Sequence, residues 1–85
     1  MKYAATTAHS SDADISITPC ESLKEALDII TDFAKGYNII IKNGKLYDSD
    51  NDSYDTVTGE IKNNKIFSFI HADGEGPIGK IDKIK

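Results

Sequence analysis

The chain contains no arginine, no glutamine and no tryptophan, and its one cysteine, Cys20, stands alone among 85 residues. Each absence excludes something. Without arginine there is no bidentate reader of guanine or phosphate, and the chain's formal charge of −4 opposes a phosphate-tracking face. Direct nucleic-acid binding is therefore not expected. A lone cysteine allows no intrachain disulfide, and nothing resembles a cysteine–histidine zinc array. No apolar run approaches the length of a membrane span, and Lys2 is followed by Tyr3-Ala-Ala-Thr-Thr rather than by an apolar signal segment. The expected location is the cytoplasm. Repeats, low-complexity tracts and linkers are also missing, so residues 1–85 read as a single small α+β domain.

A domain of this length buries only somewhat over ~60% of the surface its unfolded chain exposes. Its core is expected to be thin, one helix against one sheet, with little room for a deep substrate cleft. Charge is unevenly spread. Residues 37–60 hold five acids against two lysines, whereas residues 61–85 hold five lysines against three acids. The abundance of Ile, Lys, Asn and Asp points to an AT-rich coding sequence, as in a low-GC bacterium or its mobile elements.

The only complete helix signature runs from Thr18 to Gly36. Thr18 with Glu21 forms a capping-box pattern, Pro19 suits the first helical position, and Ser22 with Glu25 offers a second box one turn later. Leu23, Ala26, Leu27, Ile30, Phe33 and Ala34 recur at helical spacing and form one apolar stripe, while Gly36 can stop the helix. The expectation is a helix over about 19–35.

Strands are expected elsewhere. Residues 2–8 and 13–17 are β-compatible around the polar cluster His9-Ser10-Ser11-Asp12. Ile39-Ile40-Ile41 reads as a central strand covered on both faces, and Asn43-Gly44 then predicts a tight type I′ hairpin into Lys45-Leu46-Tyr47. A second hairpin should pair 54–62 with 65–70 across Asn63-Asn64. The segment 78–85 is expected as an edge strand or an ordered extension. The fold class is α+β, one amphipathic helix on an antiparallel sheet of four to six strands with two tight hairpins. Leu23, Leu27, Ile30, Phe33, Ile39, Ile41, Phe67 and Phe69 should form its core.

Four constellations carry possible chemistry. Asp48, Asp50, Asp52 and Asp55 alternate as in a calcium loop, but Ser53 stands where the EF-hand needs glycine and Gly59 where it needs glutamate. A looser calcium site on these aspartates is an alternative; a solvated acidic hairpin loop is the simpler reading. Gly74, Gly76 and Gly79 spell G-x-G-x-x-G, yet Pro77 interrupts the motif and no helix follows to meet a pyrophosphate. Cys20 near a helix start, with His9 and His71 elsewhere, sketches a thiol nucleophile pair, and Ser10, Ser11, His9 and Asp12 contain the letters of a hydrolytic triad. These four are too close in sequence to adopt triad geometry and read as loop caps. A thiol or hydrolytic enzyme ranks third.

Tyr47 and Tyr54 flank the acidic loop. Aromatic area beside oriented acids is the composition of a protein-binding hot spot, so Tyr47, Asp48, Asp50, Asp52, Tyr54 and Asp55 are the expected partner-binding residues. No catalytic residue, metal or cofactor is assigned. In size, acidity and lack of a catalytic constellation the chain resembles small phage-encoded inhibitors, anti-CRISPR proteins among them, which occlude a basic site on a host protein. The resemblance implies a non-enzymatic counter-defence protein whose partner has a basic surface. An unguarded edge at residues 2–8 or 78–85 would let the chain pair with a second copy, while Lys80, Lys83 and Lys85 are residues of the kind that blunt an edge, so the expectation is a monomer or a homodimer.

Overall fold

The computed structural model describes residues 2–11 and 15–84. Their elements are β1 Tyr3–His9, β2 Ile15–Cys20, α1 Leu23–Gly36, β3 Ile39–Lys42, β4 Lys45–Asp48, β5 Val57–Lys62, β6 Lys65–His71 and β7 Pro77–Lys83. One antiparallel sheet has the order β2-β1-β7-β6-β5, and β3 and β4 form a separate two-stranded sheet. This is the α+β class expected, one helix on a five-stranded sheet with a hairpin at its side. Asp12 and Ala13, assigned to the first turn and second strand from sequence, lie outside the described residues.

The helix starts one turn later than the first capping box implied. Ser22 is the cap, and its Oγ accepts from the Glu25 N–H at 3.2 Å. Thr18 and Pro19 instead complete β2, opposite Ala5 and Ala4 of β1. Proline fits there because β2 is an edge strand, where a missing N–H breaks no interior ladder. At the other end Gly36 is still helical. The left-handed position passes to Asn38, with φ 63°, while the Tyr37 and Asn38 N–H groups donate to the Ala34 and Lys35 carbonyls. Both hairpin corners behave as the asparagines predict: Asn43, Gly44, Asn63 and Asn64 all have positive φ.

Ala26, Leu27, Ile30 and Ala34 on the helix meet Ala5, Cys20, Ile39, Leu46, Val57, Ile66, Phe69 and Ile81 in one buried cluster. Leu27, Ile30, Ile39 and Phe69 are core residues as expected; Leu23, Phe33, Ile41 and Phe67 pack only at its margin. The exchange of Phe67 for Ile66 has a local cause. Glu60 pairs with Ser68 but Ile61 pairs with Ile66, so Phe67 is the extra residue of a bulge in β6. One inserted residue shifts the strand's alternation and turns Ile66 inward beside Phe69. The Ile66 N–H donates to Thr31 Oγ1 of the helix at 2.9 Å.

Two further expectations are corrected. Strand β3 has only β4 as a neighbour, and Ile40 stays exposed, so the isoleucine run is not a central strand. The C-terminal segment is central rather than peripheral, because β7 lies between β1 and β6. β1 is paired along its length by β2 and β7 and is no edge, whereas β7 is paired throughout with β1 but with β6 only at Ile78 and Gly79. The glycines around 74–79 serve the bend, as expected, but the chain returns to the middle of the sheet. Gly79 also admits the helix: a Cβ there would sit 2.6 Å from Phe69 Cε1 and 3.2 Å from Ile30 Cγ2. Gly79→Ala is expected to lower stability by about 1–2 kcal/mol through overpacking, read as a lower urea midpoint at unchanged m-value.

Candidate functional site

The loop between β4 and β5 is organised by its first carboxylate. Asp48 is 1% exposed, and its Oδ1 accepts from the N–H of Asp50 at 3.1 Å and of Asn51 at 3.4 Å. Its Oδ2 accepts from Asn51 Nδ2 at 2.7 Å and Thr56 Oγ1 at 2.9 Å. An aspartate that hydrogen-bonds its own backbone two residues on makes an Asx-turn, which is how an aspartate-rich segment can fold without regular structure. Backbone bonds between Asp48 and Ser53 in both directions close the base of the loop.

Burial pushes the Asp48 carboxyl up, but the donors from Asn51, Thr56 and the Asp50 backbone outweigh it and hold the group below the usual carboxylate range. A depressed folded-state pKa contributes stability that is present above the unfolded value of about 3.9 and lost as pH falls through the folded value. Acid should thus loosen this loop. The melting temperature of the protein is expected to fall between about pH 5 and pH 2 more steeply than that of Asp48→Ala.

External braces hold the rest. Ser49 donates through N–H and Oγ to the Asn38 carbonyl, and Asn38 Nδ2 donates to Asp50 Oδ1 at 2.9 Å. The Tyr47 hydroxyl donates to Asp52 Oδ1, a bond that is the chief cause of a Tyr47 pKa pushed up to about 12. Tyr47 is itself buried, with Lys42 Nζ 4.3 Å from its ring centre. Tyr54 packs on it at 5.0 Å between ring centroids and accepts at its hydroxyl from Asn43 Nδ2 at 2.9 Å. Asn43, expected from the sequence only as a turn former, and Asn38, which carried no expectation, are thereby both loop braces.

The six residues chosen from sequence are brought together but divide by role. Asp48 and Tyr47 point inward and serve as frame, so neither is available as a surface contact. Asp50, Asp52 and Asp55 are exposed, and Tyr54 is 37% exposed. The outward acids are extended by one that sequence reading passed over. A shallow cleft lined by Asn51, Asp55, Thr56, His71, Ala72 and Asp73 joins this loop to the β6–β7 turn, and the Ala72 N–H donates to the Thr56 carbonyl. Asp73 gave no local signal in sequence because only the β5–β6 pairing brings it beside Asp55.

The other constellations fare differently. Among the described residues no three histidine, cysteine or acidic side chains come close enough to hold a metal ion. Cys20 is the last residue of β2, not the first turn of the helix, and burial followed by the Glu25 charge pushes its thiol pKa up, the wrong direction for a nucleophile. His9 and His71 lie at the opposite end of the sheet. Closeness in sequence does not keep Ser11 from His9: its Oγ lies 2.7 Å from Nδ1, and its N–H donates to the same nitrogen at 3.1 Å. This is an exposed local turn, and the Ser10 hydroxyl is taken up accepting from the Gly76 N–H at 2.6 Å. No protein-family model matches the chain, and no curated protein or solved structure matches it either.

Proposed function

We propose that this chain is a non-enzymatic binding or inhibitor protein that presents the 49–55 loop, with Asp73 beside it, to a basic surface of a partner protein. The observation that supports this reading is the buried Asp48 hub. It fixes the backbone of the loop from inside while Asp50, Asp52 and Asp55 face water. A loop already ordered before contact spares the association the ordering cost that a flexible acidic segment would bear. Tyr54, held by Tyr47 and Asn43, adds a rigid ring to the same surface. Such a tip suits the blocking of a cationic site on a host protein in the cytoplasm, which is the action of a phage or mobile-element counter-defence protein.

The test is capture of a partner from host lysate by the native chain and by a variant carrying Asp50→Asn, Asp52→Asn and Asp55→Asn. The partner should be retained by the first and lost by the second at equal thermal stability. The calcium alternative is read in the same preparation. A true site raises the melting temperature with added calcium, whereas carboxylates already committed to Asn38, Tyr47 and the loop backbone should give no rise.

A further inference from the structure

The helix covers only one face of the five-stranded sheet. Ala5, Phe69 and Ile81 point toward it, so by alternation Ala8, Ile15, Ile17, Ile70 and Ile78 point away. Register aligns these residues. Ala8 pairs with both Ile15 and Ile78, and Ile78 pairs with Ile70, so one apolar row crosses β2, β1, β7 and β6. Ile15, Ile17 and Ile70 are 64%, 66% and 40% exposed, among the largest apolar exposures of the chain. Isolated exposed isoleucines need no explanation, but a row in register on a sheet face that no described element covers does.

We propose that this face is the interface of a homodimer in which two sheets pack face to face, with strands of the two copies running in opposite directions. The distribution of charge selects a second copy. The face itself is nearly neutral, because Lys80 and Asp82 pair across 3.3 Å on β7, and Glu60 and Lys62, alternate residues of β5, carry opposite charges. Its two ends differ in sign. Asp73 and Glu75 lie in the turn joining β6 to β7, while Lys2 and Lys83 lie at the start of β1 and the end of β7, the opposite end of the sheet. A two-fold axis in the interface and perpendicular to the strands sets the acidic end of each copy over the basic end of the other. That arrangement satisfies both the apolar row and the rim.

Area is consistent with a modest dimer. Five strands about 4.8 Å apart and six or seven residues long at about 3.4 Å each make a face of roughly 550 Å². Two such faces total about 1,100 Å², in the range of weak, reversible interfaces and above the roughly 1,000 Å² that a specific one needs. The sheets would meet as the two layers of a β-sandwich do, with strand directions within about 30° of antiparallel.

Sedimentation velocity of the purified chain from micromolar to millimolar concentration is the test. A reversible monomer–dimer equilibrium is expected, and Ile17→Lys and Ile70→Lys should each raise its dissociation constant at least about tenfold while circular dichroism and melting temperature stay near native. Ile70→Thr is a second variant at the same position, should the lysine disturb folding. One subunit mass at every concentration overturns the proposal. So does loss of dimer in Ile17→Lys alone, because that result assigns the contact to the β2 edge rather than to the face. The proposal does not depend on the acidic loop: the Asp50, Asp52, Asp55 to Asn variant should dimerise normally, and the isoleucine variants should keep the loop intact.

Discussion

Phe69→Ala is expected to cost about 3–5 kcal/mol, most of the stability a domain of this size has. Phe69 is 2% exposed, touches Phe33 at 6.1 Å between centroids, and lies between Gly59 and Gly79 on the adjoining strands. Both neighbours lack a side chain to fill the space. At Gly59 even a Cβ would sit 2.0 Å from the Ser68 carbonyl oxygen, so no repacking from that side can close the cavity. Phe67→Ala should cost clearly less, because the bulge leaves Phe67 at the core's margin with Lys62 Nζ 5.6 Å from its ring centre. Urea unfolding of both variants measures the difference. Equal losses would mean that the bulge does not set the register.

The second large effect is expected at Asp48. Asp48→Ala removes the acceptor of two backbone N–H groups, one carboxamide and one hydroxyl in a place where water enters only if the loop opens. Leaving such donors unpaired costs about 1–3 kcal/mol per group when they cannot reach water, and loop opening relieves part of it. The net loss should be about 2–3 kcal/mol. It should be accompanied by much faster hydrogen exchange at the amides of Asp50 and Asn51 than at those of the central strands. Asp48→Asn is not a neutral replacement, since one of its two amide faces would present a donor to Asn51 Nδ2. A variant meant to remove loop charge without disturbing loop shape must therefore spare Asp48. Unchanged exchange in Asp48→Ala would show that the loop is held by Ser49, Asn38 and the tyrosines instead.

Much of the fold was legible because it rests on local rules. The hairpins at Asn43-Gly44 and Asn63-Asn64 follow from residues that tolerate positive φ, and the apolar stripe of the helix follows from its period. What was not legible depends on neighbours distant in sequence. Thr18 and Pro19 satisfy a helix start in isolation, but pairing with Ala5 and Ala4 makes them strand. Ile78 and Ile81 are three apart, a spacing that suits neither regular pattern on one face. In β7 it simply places one residue toward the helix and one on the open face. The bulge at Phe67 has no composition signal at all.

The candidate site was legible as a stretch and not as roles. Alternating aspartates all look alike in sequence, yet the first of them closes an Asx-turn and is buried, while the later three face water. Tyr47 and Tyr54 both border the loop, but Tyr47, on the face of β4 opposite the core residue Leu46, is covered by Tyr54, Lys42 and Asp52, whereas Tyr54 stays at the surface. Asp73 joins them only through tertiary pairing. The charge asymmetry between residues 37–60 and 61–85 pointed to this loop, because charge at a loop tip survives folding whatever the strand order.

The central claim is that a rigid, outward-facing set of carboxylates steers and holds a basic partner. The measurement that tests it most directly is the association rate of the captured partner, by surface-bound or stopped-flow kinetics, across a range of salt. For the native chain the on-rate should fall steeply as salt rises while the fold stays intact, and the Asp50, Asp52, Asp55 to Asn variant should bind more than about tenfold more weakly with a nearly flat salt response. A partner that binds this variant at native affinity and with native salt dependence would contradict the account. It would move the contact to the acidic face of the helix, where Glu25, Asp28 and Asp32 are the next acids to replace.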